Sequence, residues 1–532
     1  MKRSGARAIH QYSSAWRLLA NRVITSRRSM AIPADSTILT GLLLLCVFVL
    51  FMGLVQFSTP DMPDNDGYYH IKMAALMRTE GLKPAFPWLP LTVLNPREFH
   101  DHHFLFHVLL IPFTFGDLRL GAKWAAVIFS SLAFLSVWRL LDRQRIPYAA
   151  LWSLGLLAVS EAFIYRMSIA RAQSLSLALL VIGVNWLLAR KHSRLFILGF
   201  VFAWFYNAFP LLLSVAGLFV LAVWLTERRL ELRPLVYGGS GIIAGLMINP
   251  YFPYNVVFAL QHILPKLLEP TSLSVGNEWY PYDTGQLLTN SPLGLVAFIS
   301  GALALGLSGR RMDLRTATGF FLACLFGLML FQSRRFIEYF PAFALIFAAF
   351  AWAPLIASPF AKVQPDEKTS KTLLVDRIKR WLPALAAAIF LIPAIWSNFE
   401  ASKSSLQRSK PYELYSGATA WLEAHTPAGA RVFQTDWDDF PRLFFYNTHN
   451  TYLVGLDPTY LQLYDANLYN EWVVITQGKV KNPSNAIAAD FGAHYVLTDL
   501  YHESFLSRAA NDPQLVEVYR DTDAVIFHVI GP

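Results

Sequence analysis

The side chains of this chain that could do chemistry sit in short polar stretches between long apolar runs. The first, "PDMPDNDGYYHIKMAALM" (Pro60–Met77), puts Asp61, Asp64 and Asp66 within six residues and follows them with Tyr68, Tyr69 and His70. Carboxylates grouped in this way suit a hard divalent cation such as Mg²⁺ or Mn²⁺, which takes oxygen ligands and bridges readily to phosphates. One of them could equally act as a general base. The same residues also fit a solvated turn capping a helix that starts near Tyr68, because Asp is common at helix starts for capping and dipole reasons. Local sequence leaves both readings open.

Further stretches carry the other candidates. "REFHDHHFLFH" (Arg97–His107) supplies Asp101, His102, His103 and His107. Histidines bind metals and move protons near neutral pH, and 103 and 107 are one helical turn apart. "QSRRFIEYFPAF" (Gln332–Phe343) sets Arg334 and Arg335 at the end of an apolar run. Two guanidiniums there are costly in lipid unless they face water, an anion or a partner such as Glu338. Arginine's planar fork matches phosphate better than a lysine does. "YRMSIARAQ" (Tyr165–Gln173) adds Arg166 and Arg171 at another rim. "SVGNEWYP" (Ser274–Pro281) offers Glu278 between residues that also fit an interfacial aromatic belt. "TDWDDFP" (Thr435–Pro441) reads either as an acidic helix start or as a binding motif.

The elements that must position these residues belong to a membrane protein. Of 532 residues, 55% are hydrophobic and 15% charged, a balance that leaves too little polar surface for a soluble domain. "STILTGLLLLCVFVLFMGLVQF" (Ser36–Phe57) carries no charge over a length that crosses a hydrocarbon core, with no small-residue cleavage pattern after it. Spans are expected at 37–57, 121–141, 147–165, 173–189, 195–209, 210–226, 234–250, 291–309, 316–332, 337–357 and 381–398, about eleven in all. Bursts of Lys and Arg fall in every second loop, as when basic residues are retained in the cytoplasm. That pattern accounts for the net charge of +9 without nucleic acid. Cys46 and Cys324 both lie inside spans, so no disulfide framework is implied.

The expected fold is a polytopic α-helical membrane protein with a C-terminal extracytoplasmic α/β domain. Residues 1–36 form a basic cytoplasmic tail and 37–398 the membrane domain, with outside loops at 58–120 and 251–290. Residues 399–532 form the outer domain, where "RVFQTD", "TYLVGL", "HYVLTD" and "AVIFHVI" read as strands. The segment "AKVQPDEKTSKTLLVDRIKR" is a polar cytoplasmic linker.

"DNDGYYHIKMAALMRTEG" resembles the first-loop motif of the oligosaccharyltransferase catalytic subunits, which are GT-C glycosyltransferases dependent on polyprenyl phosphates. "SVGNEW" and "DWDDFP" fall in the family's order. The resemblance implies a GT-C-like membrane domain. It also implies a catalytic role for Asp66 and Glu278, with Asp64 beside them, and a divalent cation (Mg²⁺ or Mn²⁺) on Asp66 and Glu278. Arg334 or Arg335 would receive the lipid-linked phosphate, and Trp437 and Asp438 would meet the acceptor. His102, His103, Tyr69 and His70 would line the same site. The family's second acidic pair is missing, since the matching turn reads "SIARAQS" (Ser168–Ser174). Asp101, His102 and His103 are placed to substitute, Asp101 as a metal ligand. "DWDDFP" has one tryptophan where the family has two.

The implied activity is transfer of a sugar or oligosaccharide from a polyprenyl-(pyro)phosphate donor to a protein, glycan or lipid acceptor outside the cytoplasm. The competing readings are a single-sugar GT-C transferase and a transporter or flippase of lipid-linked glycans. A transporter should carry polar groups at mid-bilayer in matched halves, whereas charges here collect at one rim.

Overall fold

The computed structural model describes residues 34–263, 276–357 and 370–530. The basic tail up to residue 33, Ser274 and Val275 of "SVGNEWYP", and residues 361–369 of the expected cytoplasmic linker lie outside the described residues.

Helix Ala34–Gln56 shows how the membrane part is built. Ile38, Leu42 and Leu50 are turned outward, while Phe48, Met52 and Val55 are buried. Phe48 meets Phe134 of helix Leu118–Arg143 edge to face, with centroids 5.5 Å apart. A helix apolar all round faces lipid on one side and protein on the other. Among the described residues, five helices are long and apolar enough to cross a membrane: Thr37–Gln56, Leu118–Arg143, Pro210–Glu227, Leu314–Gln332 and Phe340–Ala357. Two bent pairs bring the number to seven if each is one span. Three more expected spans correspond to shorter apolar helices, Gln173–Leu188, Arg194–Phe205 and Arg233–Ile248.

The straight span expected at 147–165 is instead broken by 86° between Ala149–Leu157 and Glu161–Met167. Ser160 takes an extended backbone and its side chain accepts from the Phe163 N–H at 3.0 Å, so it caps a new helix rather than continuing the old one. The break sends Arg166 and Arg171 inward. The span expected at 381–398 lies within helix Ser370–Gln407, which continues past the boundary expected at 399. Helix Phe104–Leu110, with His103 at its N-cap, is a short apolar element that carries the one-turn spacing of His103 and His107.

Beyond Gln407 the chain forms a five-stranded sheet covered by helices. Its strands are β1 (Arg431–Gln434), β2 (Thr451–Tyr452), β3 (Tyr495–Asp499), β4 (Leu515–Arg520) and β5 (Ala524–Val529), in the order β2-β1-β3-β5-β4. β1 runs parallel to both β2 and β3, whereas β5 is antiparallel to β3 and β4. Strand order therefore reverses at β1, and the loop after its carboxyl end carries Asp436–Asp439, the place where open α/β sheets bind ligands. The long loop before helix Phe104–Leu110 is laid along this unit. The Tyr452 N–H donates to the Trp88 carbonyl at 2.8 Å, the Trp88 indole N–H to the Thr448 carbonyl at 2.9 Å, and the Val93 N–H to the Tyr460 carbonyl at 3.1 Å.

Candidate active site between the polar loops and the sheet

A cavity of about 640 Å³ lies where the first loop, the 168–172 turn, the Glu278 loop, the Arg335 turn and the β1 loop meet. That volume is in the range of small-molecule sites. Asp64, Asp66, Tyr69, His70, His102, His103, Glu278, Arg335, Trp437 and Asp438 all line it, with Arg166, Arg171, Tyr206 and Tyr460 among the additional walls.

Asp66 is the first residue of helix Asp66–Glu80, but it does not cap it. Asp64 does the local work: its Oδ1 accepts the Asp66 N–H at 2.7 Å. This leaves the Asp66 carboxylate to meet Arg171, with Oδ2 3.1 Å from Nη2. Gly67 lets the turn approach, since a Cβ there would stand 2.8 Å from Met62 Cε and 3.6 Å from Ala170 Cβ. Between the two aspartates, Asn65 ties the loop to the sheet unit. It donates to the carboxylate of Asp438 at 2.7 Å and accepts from Arg442 Nε at 2.7 Å. Arg442 is buried, with its guanidinium 4.3 Å from the Tyr68 ring centroid. Asp61 is structural: it accepts from the Tyr412 N–H at 2.8 Å and from the Thr59 hydroxyl at 2.8 Å, and buried Lys123 donates to its carbonyl at 2.8 Å.

Glu278 is the hub of the cationic side. It accepts from Arg335 Nη1 at 2.8 Å, lies 2.9 Å from Arg166 Nη1 and is 3.5 Å from Arg171 Nη1. Arg166 also donates through Nε to the fully buried Glu338 at 2.8 Å. Arg335 donates to the Tyr206 hydroxyl and stands 5.0 Å from the Trp279 ring centroid. Its neighbour Arg334 does not line the cavity. The 3₁₀ turn Arg334–Glu338 splits the pair, and Arg334 donates to the Pro281 carbonyl at 3.1 Å while facing the Tyr282 ring.

Charge follows from this placement. Burial, helped by Asp64, Glu278 and Asp438, pushes Asp66 up to about 7 against the pull of Arg171. Asp438 is pushed up to about 6 by burial and by Asp64 and Asp436. Burial alone would raise Glu278, but Arg335, Arg171 and Arg166 outweigh it and hold the carboxyl well below its usual range. The site thus offers one permanently ionised carboxylate, Glu278, and two poised near neutrality, Asp66 and Asp438.

The histidines separate into two roles. His107 is fully buried, and its Nδ1 donates to Asp101 Oδ2 at 2.6 Å. A carboxylate only accepts, so His107 Nε2 is the acceptor for His70 Nδ1 at 2.7 Å. Burial holds His70 well below its ordinary value, and it presents a neutral ring to the cavity. Asp101 therefore serves His107 and is not among the cavity walls with Asp66 and Glu278, contrary to its expected place as a metal ligand.

The donor set does not fit a divalent cation. Asp64, Asp66 and Glu278 converge, but they converge on the guanidinium of Arg171, 3.6, 3.1 and 3.5 Å away. Among the described residues no three His, Cys, Asp or Glu side chains are grouped to hold a metal. Arg166 and Arg171 were visible in the sequence only as rim arginines. The pairing of Asn65 with Arg442 had no local signal beyond a lone arginine in the apolar "FPRLFFY".

No family model and no curated protein matches the sequence. Solved structures do. The oligosaccharyltransferase of Archaeoglobus fulgidus in its apo form superposes with a TM-score of 0.63 at 14% identity, over 92% of this chain and 74% of that one. That enzyme, AglB, has been solved with an inhibitory peptide and a dolichol-phosphate, and with Zn and sulfate. ArnT from Cupriavidus metallidurans bound to undecaprenyl phosphate gives a TM-score of 0.56 at 15% identity, over 92% of this chain and 99% of that one. The mycobacterial arabinofuranosyltransferase AftD gives 0.53 at 14% identity, over 92% and 40%. The architecture is shared: this chain is a multi-pass membrane protein with the GT-C fold of these structures.

Proposed function

We propose that this chain is a glycosyltransferase that moves a sugar or oligosaccharide from a polyprenyl phosphate or pyrophosphate to an acceptor at the extracytoplasmic face. The observation that carries this reading is the convergence of Arg166, Arg171 and Arg335 with Asp66 and Glu278 on one cavity between the membrane part and the outer unit. The lipid phosphates in the AglB and ArnT structures are of the kind such guanidiniums would hold.

The same helices support one orientation. Gln173–Leu188 starts beside Arg171 and ends at Arg190 and Lys191; Pro210–Glu227 starts at the cavity and ends at Arg228 and Arg229. Leu314–Gln332 follows Arg310 and Arg311 and ends at the Arg335 turn. Each carries its basic burst opposite the cavity, which supports a cytoplasmic basic side and an extracytoplasmic cavity.

In the reaction, the acceptor oxygen or nitrogen bonds to the anomeric carbon as the bond from that carbon to the phosphate oxygen breaks. The electron pair leaves with the phosphate. Arg335 and Arg171 stabilise that growing charge from fixed positions. The acceptor proton passes to the Asp66 carboxylate, whose affinity for protons near neutrality suits a general base. Trp437 and Asp438, held to the first loop through Asn65, present the acceptor.

The test is Asp66→Ala in a strain lacking the chain, followed by mass spectrometry of glycans and lipid-linked intermediates. Transfer should be lost with the protein still folded and inserted. Retained transfer removes Asp66 from the reaction.

A further inference from the structure

We infer that the guanidinium of Arg171 occupies the place that a divalent cation would take, so that the cavity works with a fixed organic cation and binds no catalytic metal. This rests on reading the cavity as a phosphate-leaving site, and three observations carry it.

The first is position. One planar fork reaches Asp66 with Nη2 at 3.1 Å, and Asp64 and Glu278 with Nη1 at 3.6 and 3.5 Å. These three carboxylates, from two separate loops, are the oxygen set a hard cation would use. A metal at their centre would have to displace the guanidinium. The second is charge. Four carboxylates (Asp64, Asp66, Glu278, Glu338) are tied to three guanidiniums (Arg166, Arg171, Arg335), leaving at most one negative charge in the network when all four are ionised. A divalent ion would overshoot neutrality beside three cations in a partly dry site, where like charges repel strongly. Without Arg171 the same network carries two negative charges, which one divalent ion would cancel. The third is sequence. Arg171 lies in "SIARAQS", the turn at which the family resemblance implies an acidic pair, so the cation is supplied where a cation ligand is absent.

A guanidinium differs from a metal in what it can do. It offers charge and directed N–H donors to a leaving phosphate, and it neither exchanges ligands nor dissociates.

Mn²⁺ alone is the probe, titrated into the purified, chelator-washed full-length protein in detergent and followed by loss of the free-ion electron paramagnetic resonance signal. Wild type should bind no Mn²⁺ at this site, seen as a titration unchanged by Asp66→Asn. Arg171→Ala should bind it about tenfold or more tightly than wild type, and Asp66→Asn on that background should abolish the gain. Micromolar binding by wild type that Asp66→Asn removes would overturn the inference, as would a folded Arg171→Ala that gains nothing. If Arg171→Ala fails to fold, the wild-type and Asp66→Asn titrations decide, together with retention of undecaprenyl phosphate. Retention unchanged by chelator supports a fixed cation; retention lost in chelator and restored by Mn²⁺ overturns it. Binding of Mn²⁺ is read without turnover, so failure of the glycosyl-transfer reading would appear separately, as unchanged glycans in Asp66→Ala.

Discussion

Replacing Arg335 separates its structural from its catalytic contribution. Its side chain is 16% exposed and gives Glu278 a charge-assisted hydrogen bond at 2.8 Å, gives Tyr206 a second bond, and lies 5.0 Å from the Trp279 ring centroid. A hydrogen bond to a charged group contributes about 1.5–3 kcal/mol and an accessible cation–π contact about 0.5–1 kcal/mol. Arg335→Ala does not orphan Glu278, because Arg166 remains 2.9 Å away. The stability loss should therefore stay near about 2–3 kcal/mol, below that of a buried ion pair broken with one charge left alone. The effect on turnover should be larger. Losing one fixed donor to a developing anion costs about 10²–10³-fold in kcat. Arg335→Lys keeps the charge but cannot serve Glu278 and Tyr206 together, so it should fall between wild type and Ala. The assay is lipid-linked sugar turnover in membranes, paired with thermal melting of purified protein. Arg335→Ala with kcat within threefold of wild type would refute a role in holding the leaving phosphate. A melting loss without a kcat loss would make Arg335 purely structural.

Two further outcomes follow from the same geometry. Asp66 titrates at about 7, so transfer should rise through neutral pH as its carboxylate ionises, and Asp66→Asn should remove that limb from a pH–rate profile. The stability consequence has the opposite sign: a folded-state value raised above 3.8 gives a contribution complete below about 4 and lost by about 7. Asp66→Asn should therefore melt higher than wild type at pH 8, and the gap should close at acid pH. Asn65→Ala removes the bonds to Asp438 and Arg442 and leaves Arg442 Nε buried without that partner. Melting should fall by the equivalent of about 1–3 kcal/mol, and the acceptor KM should rise more than the donor KM.

Much of the site was legible because its residue types are out of place in an apolar chain. Asp66, Glu278 and Trp437 stand in polar breaks between hydrophobic runs, and all three line the cavity. Arg334 and Arg335 could not be separated, since neighbouring residues share composition and only the 3₁₀ turn points them apart. Asp101 looked like part of a metal-binding cluster, but its partner is His107, one turn past His103, and a pattern of residue types does not reveal which side of a short helix is buried. The break at Ser160 escaped hydropathy because both halves are apolar; only the capping geometry bends the chain. The bond between Asn65 and Arg442 spans 377 positions, and nothing local announces it. In the sheet, β4 was not among the stretches read as strands: "LVEVYR" is mostly exposed and lacks the buried apolar run that marks β3 and β5.

The most direct test of the account is an experimental structure of the purified protein with undecaprenyl phosphate bound. The phosphate should lie within hydrogen-bond reach of Arg335 and Arg171, with Asp66 facing the side from which an acceptor would attack. A phosphate held elsewhere on the membrane part, with the cavity closed over its own ion pairs, would contradict it.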